Sequence, residues 1–401
     1  MSEIIGIISE YNPFHNGHRY QIEQARARFG NDAAVVCAMS GNFVQRGEPA
    51  IVSKFARAEA ACRCGVDLAA ELPLPWALSS AEGFALGGVS VLTRFGITVL
   101  CFGAETEDLA LLQSLVEAAD APDFIGSVKD RLSRQPELSF AEARALCLRE
   151  RLGNEAAVEA EKPNNILAVE YLRALKKLAP AVRPCPVPRT GCGHDEAGLG
   201  NVTSASDIRS RIQRDEAWEN FLPLASEALL KKEFNAGRGP VDFTSLDNAL
   251  LSRLRQLGPE DFAVCTENRG GLAERLHAAV RSEASVEDVC RAAKTGRYAM
   301  SAVKRSLLRA CLGLRADAPA AALPPYARIL AFNEKGRILL HRLDEGAGIV
   351  TKPASVRSMD AEARSVFTLN ASADDLYCLA FTAPEDRKCG NDWRKGPVIV
   401  D

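Results

Sequence analysis

The chain has 401 residues, 47% of them hydrophobic and 25% charged, a balance that suits two or three globular domains with sizeable cores. A net charge of −3 excludes nucleic-acid binding through bulk charge, so such a role requires a local basic patch. The opening "MSEIIGIISE" carries Glu3 and does not read as a signal peptide, and the longest later apolar stretch, "VSVLTRFGITVLCFGA", is broken by Arg94. No membrane partner and a cytoplasmic location are therefore expected. The twelve cysteines are scattered, and Cys62-x-Cys64 has no partner pair at zinc spacing, so reduced thiols are expected rather than a zinc site or disulfides.

In chain order, "IIGIIS" (Ile4 to Ser9) is a near-continuous apolar run, the pattern of a strand buried on both faces of a parallel sheet. Tyr11 to Gly17 is punctuated by Asn, Pro and Gly as a loop, and "HRYQIEQARARFG" reads as a helix ending at Gly30. "AAVVCAMSG" (Ala33 to Gly41) is a second buried strand, and "KFARAEAACRCG" (Lys54 to Gly65) a second helix. "DLAAELPLP" is a third short strand followed by prolines, "GFALGGVSVLTRFG" a third helix and "TVLCFGAE" (Thr98 to Glu105) a fourth strand. This alternation predicts βαβ units in a doubly wound, Rossmann-like parallel sheet.

Residues 106–180 are expected to be mainly helical. The clearest case is Pro163 to Leu178, with Asn164 or Asn165 as cap and an apolar stripe at Ile166, Val169, Leu172 and Leu175. "AVRPCPVPRTG" is too rich in proline for a helix and reads as an edge strand or extended loop. "SASDIRSRI" starts another helix, capped by Ser204 or Ser206. Helices then dominate to Leu314, "DAPAAALPPYA" reads as a connection, and the tail from Arg328 mixes short strands and helices. These features suggest a catalytic α/β domain over residues 1–215 and a mainly helical C-terminal region over 216–401.

In an open parallel sheet, ligands bind beyond the carboxyl ends of the strands. "YNPFHNGH" sits there, after the first strand and at the start of the first helix, where open N–H groups and the positive dipole end favour phosphate. Gly17 admits close approach of a ligand. His15 and His18 supply imidazole donors to charge that develops in a transition state. The loop "SGNFVQRGEPAIVSK" places Arg46 and Lys54 where they could close over a triphosphate and neutralise leaving pyrophosphate.

The H-N-G-H string resembles the (H/T)-x-G-H signature of nucleotidyltransferases and class I aminoacyl-tRNA synthetases, and "SASDIR", ending at Arg209, resembles their second signature. "EYNPFHNGH", "MSGNFVQRGEPAI", "ELPLPWALSSAEGFA", "CFGAE" and "KPNNILAVEYL" together resemble the bacterial tRNA(Met) cytidine acetate ligases. The resemblance is strong over about residues 3–210 and thinner beyond. It implies activation of acetate by ATP as acetyl-adenylate, then transfer of the acetyl group to the exocyclic amine of the wobble cytidine in elongator tRNA(Met). It places ATP at Ile7, Ile8, Ser9, Glu10, Tyr11, Asn12, Pro13, Phe14, His15, Asn16, Gly17, His18, Arg19 and Tyr20, and at Gly103, Asn164 and Arg189. His15, His18 and Lys54 are the catalytic candidates, and Mg²⁺ is expected only as the companion of ATP. A glycine at 103 spares the nucleotide a collision, Asn164 offers donor and acceptor groups, and Arg189 can pair with phosphate or stack on adenine.

From Arg291 to Arg315 the chain has seven basic residues (Arg291, Lys294, Arg297, Lys304, Arg305, Arg309, Arg315) and no acidic one, with Tyr298 beside Arg297. That combination suits phosphate contact and base stacking on tRNA. Gly296 departs from the family, where a basic residue is usual in the "KT(K)RY" string. Two other readings stand beside the ligase: a small-molecule nucleotidyltransferase of the pantetheine-phosphate or nicotinate mononucleotide type, and a non-catalytic tRNA-binding protein. The basic run argues against the first and the intact HNGH against the second. Nothing in the sequence sets an oligomeric state.

Overall fold

A computed structural model describes residues 3–135, 137–138, 140–188, 202–267, 270–318 and 322–401. Its centre is a sheet in the order β10-β8-β5-β2-β1-β6-β7, with β9 paired to β8. The strands are β1 (Ile4–Ser9), β2 (Ala34–Ser40), β5 (Leu68–Leu72), β6 (Val99–Ala104), β7 (Arg183–Pro188), β8 (Ala327–Phe332), β9 (Ile349–Val350) and β10 (Val398–Ile399); β3 (Phe43–Val44) and β4 (Glu48–Pro49) form a separate antiparallel hairpin. The five strands β5-β2-β1-β6-β7 run parallel, as expected of a doubly wound fold.

The continuous apolar runs follow from burial on both faces. In β2, Val35, Cys37 and Met39 pack on one side with Ile22, Ala25 and Phe55, while Val36 and Ala38 pack on the other with Val89 and Leu92. The first set covers α1 (Asn16–Phe29) and α2 (Lys54–Arg63); the second covers α4 (Ala81–Thr93), which follows the short α3 (Leu74–Ala77). Each such fully buried aliphatic side chain contributes about 1.5–3 kcal/mol, so both layers are held firmly on the sheet.

The predicted helical stretch after β6 is α5 (Leu109–Asp120), α6 (Phe124–Arg134), α7 (Phe140–Leu152), α8 (Asn154–Glu161) and α9 (Pro163–Leu178). The proline-rich segment is an edge strand, β7, bonded among the described residues only to β6. Next come α10 (Ala205–Gln213), α11 (Leu224–Asn235) and the cluster α12 (Phe243–Leu254), α13 (Pro259–Cys265), α14 (Leu272–Ser282), α15 (Val286–Ala293) and α16 (Met300–Leu312), which has its own core around Leu250, Leu276 and Leu307. The tail then returns to the sheet: β8 pairs antiparallel with β5, and β9 and β10 pair parallel with β8. Among the described residues, no helix is long and apolar enough to cross a membrane.

Candidate active site at the switch point of the sheet

Strand order reverses between β1, which leads on to β2 and β5, and β6, which leads on to β7, so a crevice forms at their carboxyl ends. The register Gly6 to Leu100, carried three residues further, sets Ser9 level with Gly103. Ile7, Ile8 and Ser9 therefore form the floor, Glu10 to His15 the loop above it, and Asn16, Gly17, His18, Arg19 and Tyr20 the first turn of α1.

The loop is fixed by its neighbours. Tyr11 takes a left-handed φ of +43°, an uncommon state for a side-chain-bearing residue, and its buried ring is packed by Phe14 at 4.8 Å and His18 at 4.9 Å. Arg57, fully buried, donates to the carbonyls of Glu10, Val52, Ser40 and Gly41, joining the ends of β1 and β2. Asn12 Oδ1 accepts the Ile51 N–H at 2.8 Å. From the C-terminal half, Ser226 Oγ donates to the Phe14 carbonyl at 2.8 Å and Asn16 Nδ2 donates to the Asn220 carbonyl at 3.1 Å.

The two histidines stand against each other, ring centroids 3.7 Å apart and planes 27° apart. His15 Nδ1 accepts the Gly17 N–H at 3.0 Å, and His18 Nδ1 accepts the His15 N–H at 3.2 Å. With each Nδ1 accepting, the proton of each neutral ring is assigned to Nε2. This corrects the expectation of open N–H groups at this terminus: the His15 ring caps the Gly17 N–H, and the His15 carbonyl accepts the His18 N–H at 2.9 Å. It also changes the reason for Gly17, because a Cβ there would stand 2.9 Å from His15 Cε1 and break the stack.

Across the crevice, Asn164 is bonded to Glu105, two residues beyond Gly103, a residue that sequence reasoning passed over. Glu105 Oε1 accepts from Asn164 Nδ2 at 2.6 Å, and Glu105 Oε2 accepts the Asn165 N–H at 2.8 Å. In return, Asn165 Oδ1 accepts the Glu105 N–H at 2.9 Å. The cap of α9 is thus Glu105 from the end of β6, rather than Asn164 or Asn165 acting on its own helix. The string "CFGAE" holds the signal, in a carboxylate just beyond a buried strand.

The second signature also arrives here. Ser204 caps α10, accepting the Asp207 N–H, and Arg209 Nη1 donates to the Asn12 carbonyl at 2.8 Å. Arg46 lies exposed at the tip of the β3–β4 hairpin. Burial pushes the Glu10 carboxyl up, against the Arg209 and Arg46 charges that draw it down. Lys54 is not brought to this site as a loop cation. It is the first residue of α2, its side chain is 2% exposed, and its Nζ lies 2.7 Å from both Glu71 and Asp392. Arg189 lies outside the described residues.

The basic run from Arg291 is also divided by the fold. Arg305 and Arg309 are buried and ion-paired with Glu267. Tyr298 is 5% exposed and donates its hydroxyl to the Gly270 carbonyl, so the expectation that Tyr298 and Arg305 meet tRNA is not met. Arg291, Arg297 and Arg315 are exposed, Arg315 being paired with Asp317 and Arg291 with Asp288.

Residues 2–392 match the family described as HIGH Nucleotidyl Transferase. A tRNA(Met) cytidine acetate ligase of Syntrophomonas wolfei is 35% identical over 98% of this chain and 99% of its own, and one of Acetivibrio thermocellus is 35% identical over 99% of this chain and 100% of its own. The chain belongs to the tRNA(Met) cytidine acetate ligase family. Its nucleotidyltransferase fold is shared with Thermotoga maritima TmcAL, whose apo crystal structure superposes with a TM-score of 0.91 at 32% identity, covering 99% of each chain. A second crystal form of that protein, bound with alpha-thio ATP, matches equally well. In this chain the paired histidines follow β1 and the Glu105-capped start of α9 follows β6, on the two sides of the switch point, and Arg209 is bonded to the histidine loop.

Proposed function

We propose that this chain is an ATP-dependent acetate ligase that acetylates the exocyclic amine of the wobble cytidine in elongator tRNA(Met). In the first step an acetate oxygen attacks the α-phosphorus of ATP, forming the acetyl–phosphate bond as pyrophosphate leaves. In the second, the cytidine amine attacks the acetyl carbonyl, AMP leaves with the bridging oxygen, and the amine loses a proton. The observation that carries this reading is the stacked His15–His18 pair at the start of α1, beyond β1 at the switch point. Two Nε2 donors fixed there suit charge that grows on the α-phosphate during attack.

Gly103 and Asn164, on the facing wall, are assigned to the nucleotide, and Arg209 and Arg46 to its phosphates. Arg189 belongs to the same proposal on sequence grounds alone. Lys54 is withdrawn from it, because both of its carboxylate partners would first have to be displaced at a buried site. Mg²⁺ enters as the companion of the ATP phosphates; among the described residues no three His, Cys, Asp or Glu side chains converge to hold a metal ion. Incubating the protein with ATP, acetate and unmodified tRNA(Met), then measuring nucleosides by mass spectrometry, should yield acetylated cytidine. Unchanged cytidine alongside ATP turnover on a small-molecule substrate would favour the nucleotidyltransferase reading instead.

A further inference from the structure

Glu48, the first residue of β4 and beside the turn of the β3–β4 hairpin, holds two cations with one carboxylate. Its Oε2 lies 3.1 Å from Arg209 Nη2, while Oε1 accepts from Lys304 Nζ on α16. The other amino group of Arg209 is the one bonded to the Asn12 carbonyl in the histidine loop. All three side chains are mostly shielded, with 25% exposure for Glu48, 17% for Arg209 and 21% for Lys304. Burial alone would raise the Glu48 carboxyl; the Lys304 and Arg209 charges outweigh it and hold the group below the ordinary carboxylate range.

The hairpin has no room to slide. Gly47 takes φ +76°, and a Cβ there would stand 2.4 Å from the Arg305 backbone nitrogen, so the hairpin backbone rests directly on α16. Arg305 Nη1 donates to the Gln45 carbonyl at 3.2 Å, and the Gln45 N–H donates to Glu10 Oε1 at 2.9 Å. The position of α16 thereby fixes Glu48, and Glu48 fixes one side of Arg209.

We propose that Lys304 and Glu48 are positioning residues for the ATP half of the reaction, acting through Arg209 although Lys304 lies in the basic run assigned to tRNA. This rests on the reading that the His15–His18 crevice activates acetate with ATP. Lys304 donates to Glu48, Glu48 turns the guanidinium, and the guanidinium keeps the Asn12 carbonyl and the following histidines in register. Misplacement of reacting groups by a fraction of an ångström costs rate far more than it costs fold.

The test is acetate-dependent ATP–pyrophosphate exchange without tRNA, for the wild type, Lys304→Met, Glu48→Gln, Arg209→Lys and the Glu48→Gln/Arg209→Lys double variant. Lys304→Met and Glu48→Gln should each lower the exchange kcat by roughly tenfold with little change in the KM for acetate. The double variant should lose little beyond Arg209→Lys alone, because the two residues act as one unit. Thermal midpoints measured in parallel separate positioning from unfolding: kcat should fall even in variants whose midpoint is kept. A Lys304→Met protein that exchanges like the wild type, or losses at Glu48 and Arg209 that simply multiply, would overturn the relay and leave the ligase reading standing. A wild type with no exchange would overturn the acetate-activation step and the relay together.

Discussion

At the scale of single residues, the site depends on a few side chains whose positions are fixed by their bonds. His18 holds the His15 N–H with Nδ1 and is assigned its donor on Nε2. His18→Ala should slow adenylate formation by roughly a hundredfold, the effect of losing one preorganised donor, while ATP affinity changes little. ATP–pyrophosphate exchange beside calorimetric ATP binding checks this, and unchanged exchange would remove His18 from the chemistry. Asp374 lies outside the site and titrates unusually. Burial pushes its carboxyl up to about 7, with the Asp392 charge adding to the shift, while its Oδ1 accepts from Asn42 Nδ2 at 2.7 Å. The folded chain therefore keeps a proton that the unfolded chain, titrating near 3.8, gives up earlier. The unfolded state binds fewer protons across that window, so this group's contribution is complete below about pH 4 and is lost as pH rises through 7. Asp374→Asn should flatten the decline in thermal midpoint between about pH 4 and about pH 7. Parallel curves for variant and wild type would contradict it.

At the scale of elements, the sheet was legible wherever burial on two faces forced a continuous apolar run. The strands at Ile4–Ser9, Ala34–Ser40, Leu68–Leu72 and Val99–Ala104 and the helix Pro163–Leu178 stand within two residues of their sequence-based bounds; the first strand and the helix coincide with them, and the other strands are shorter by a residue at one or both ends. The antiparallel β8 was not legible as part of this sheet, because its partner β5 lies more than two hundred residues earlier and no local pattern encodes that pairing. Lys54 misled for the same reason. A lysine after a glycine-rich loop reads as solvated, and the Asp392 carboxylate that buries it comes from the other end of the chain. Glu105 hid in plain view, since a carboxylate ending a strand gives no sign of which helix it will cap. The hairpin tests the same non-local principle. Gly47→Ala would have to sustain φ +76° and displace the α16 backbone, so unfolding stability should fall by about 1–3 kcal/mol or more. Urea denaturation measures this, and a neutral substitution would show that the hairpin is not seated on α16.

At the scale of the whole molecule, the C-terminal half both braces the site and carries the surface proposed for tRNA. Ser226 and Asn220 hold the histidine loop, Tyr377 donates to the Ala50 carbonyl at 2.7 Å, and Asn42 joins Asp374. The basic run was legible as charge, but its division into inward and outward members was not, because helix register alone decides it. Of its members, Arg291 and Arg297 face solvent, and Gly296 has open space around it. Replacing Arg291 and Arg297 with Ala should flatten the log–log salt dependence of tRNA binding by about 0.7–0.9 for each phosphate that is no longer neutralised. Gly296→Lys should steepen it by a similar amount and tighten binding. Filter binding across a salt series reads both, and slopes unaltered in either direction would move the tRNA surface elsewhere.

The most direct measurement follows one oxygen atom. Acetate labelled with oxygen-18 in both oxygens is supplied with ATP and tRNA(Met), and the AMP, pyrophosphate and any inorganic phosphate are analysed by mass spectrometry. Attack on the α-phosphorus followed by aminolysis leaves one labelled oxygen in AMP and none in pyrophosphate. Label appearing in inorganic phosphate with ADP as co-product, or absent from AMP while acetylcytidine accumulates, would contradict an acetyl-adenylate formed at the paired histidines.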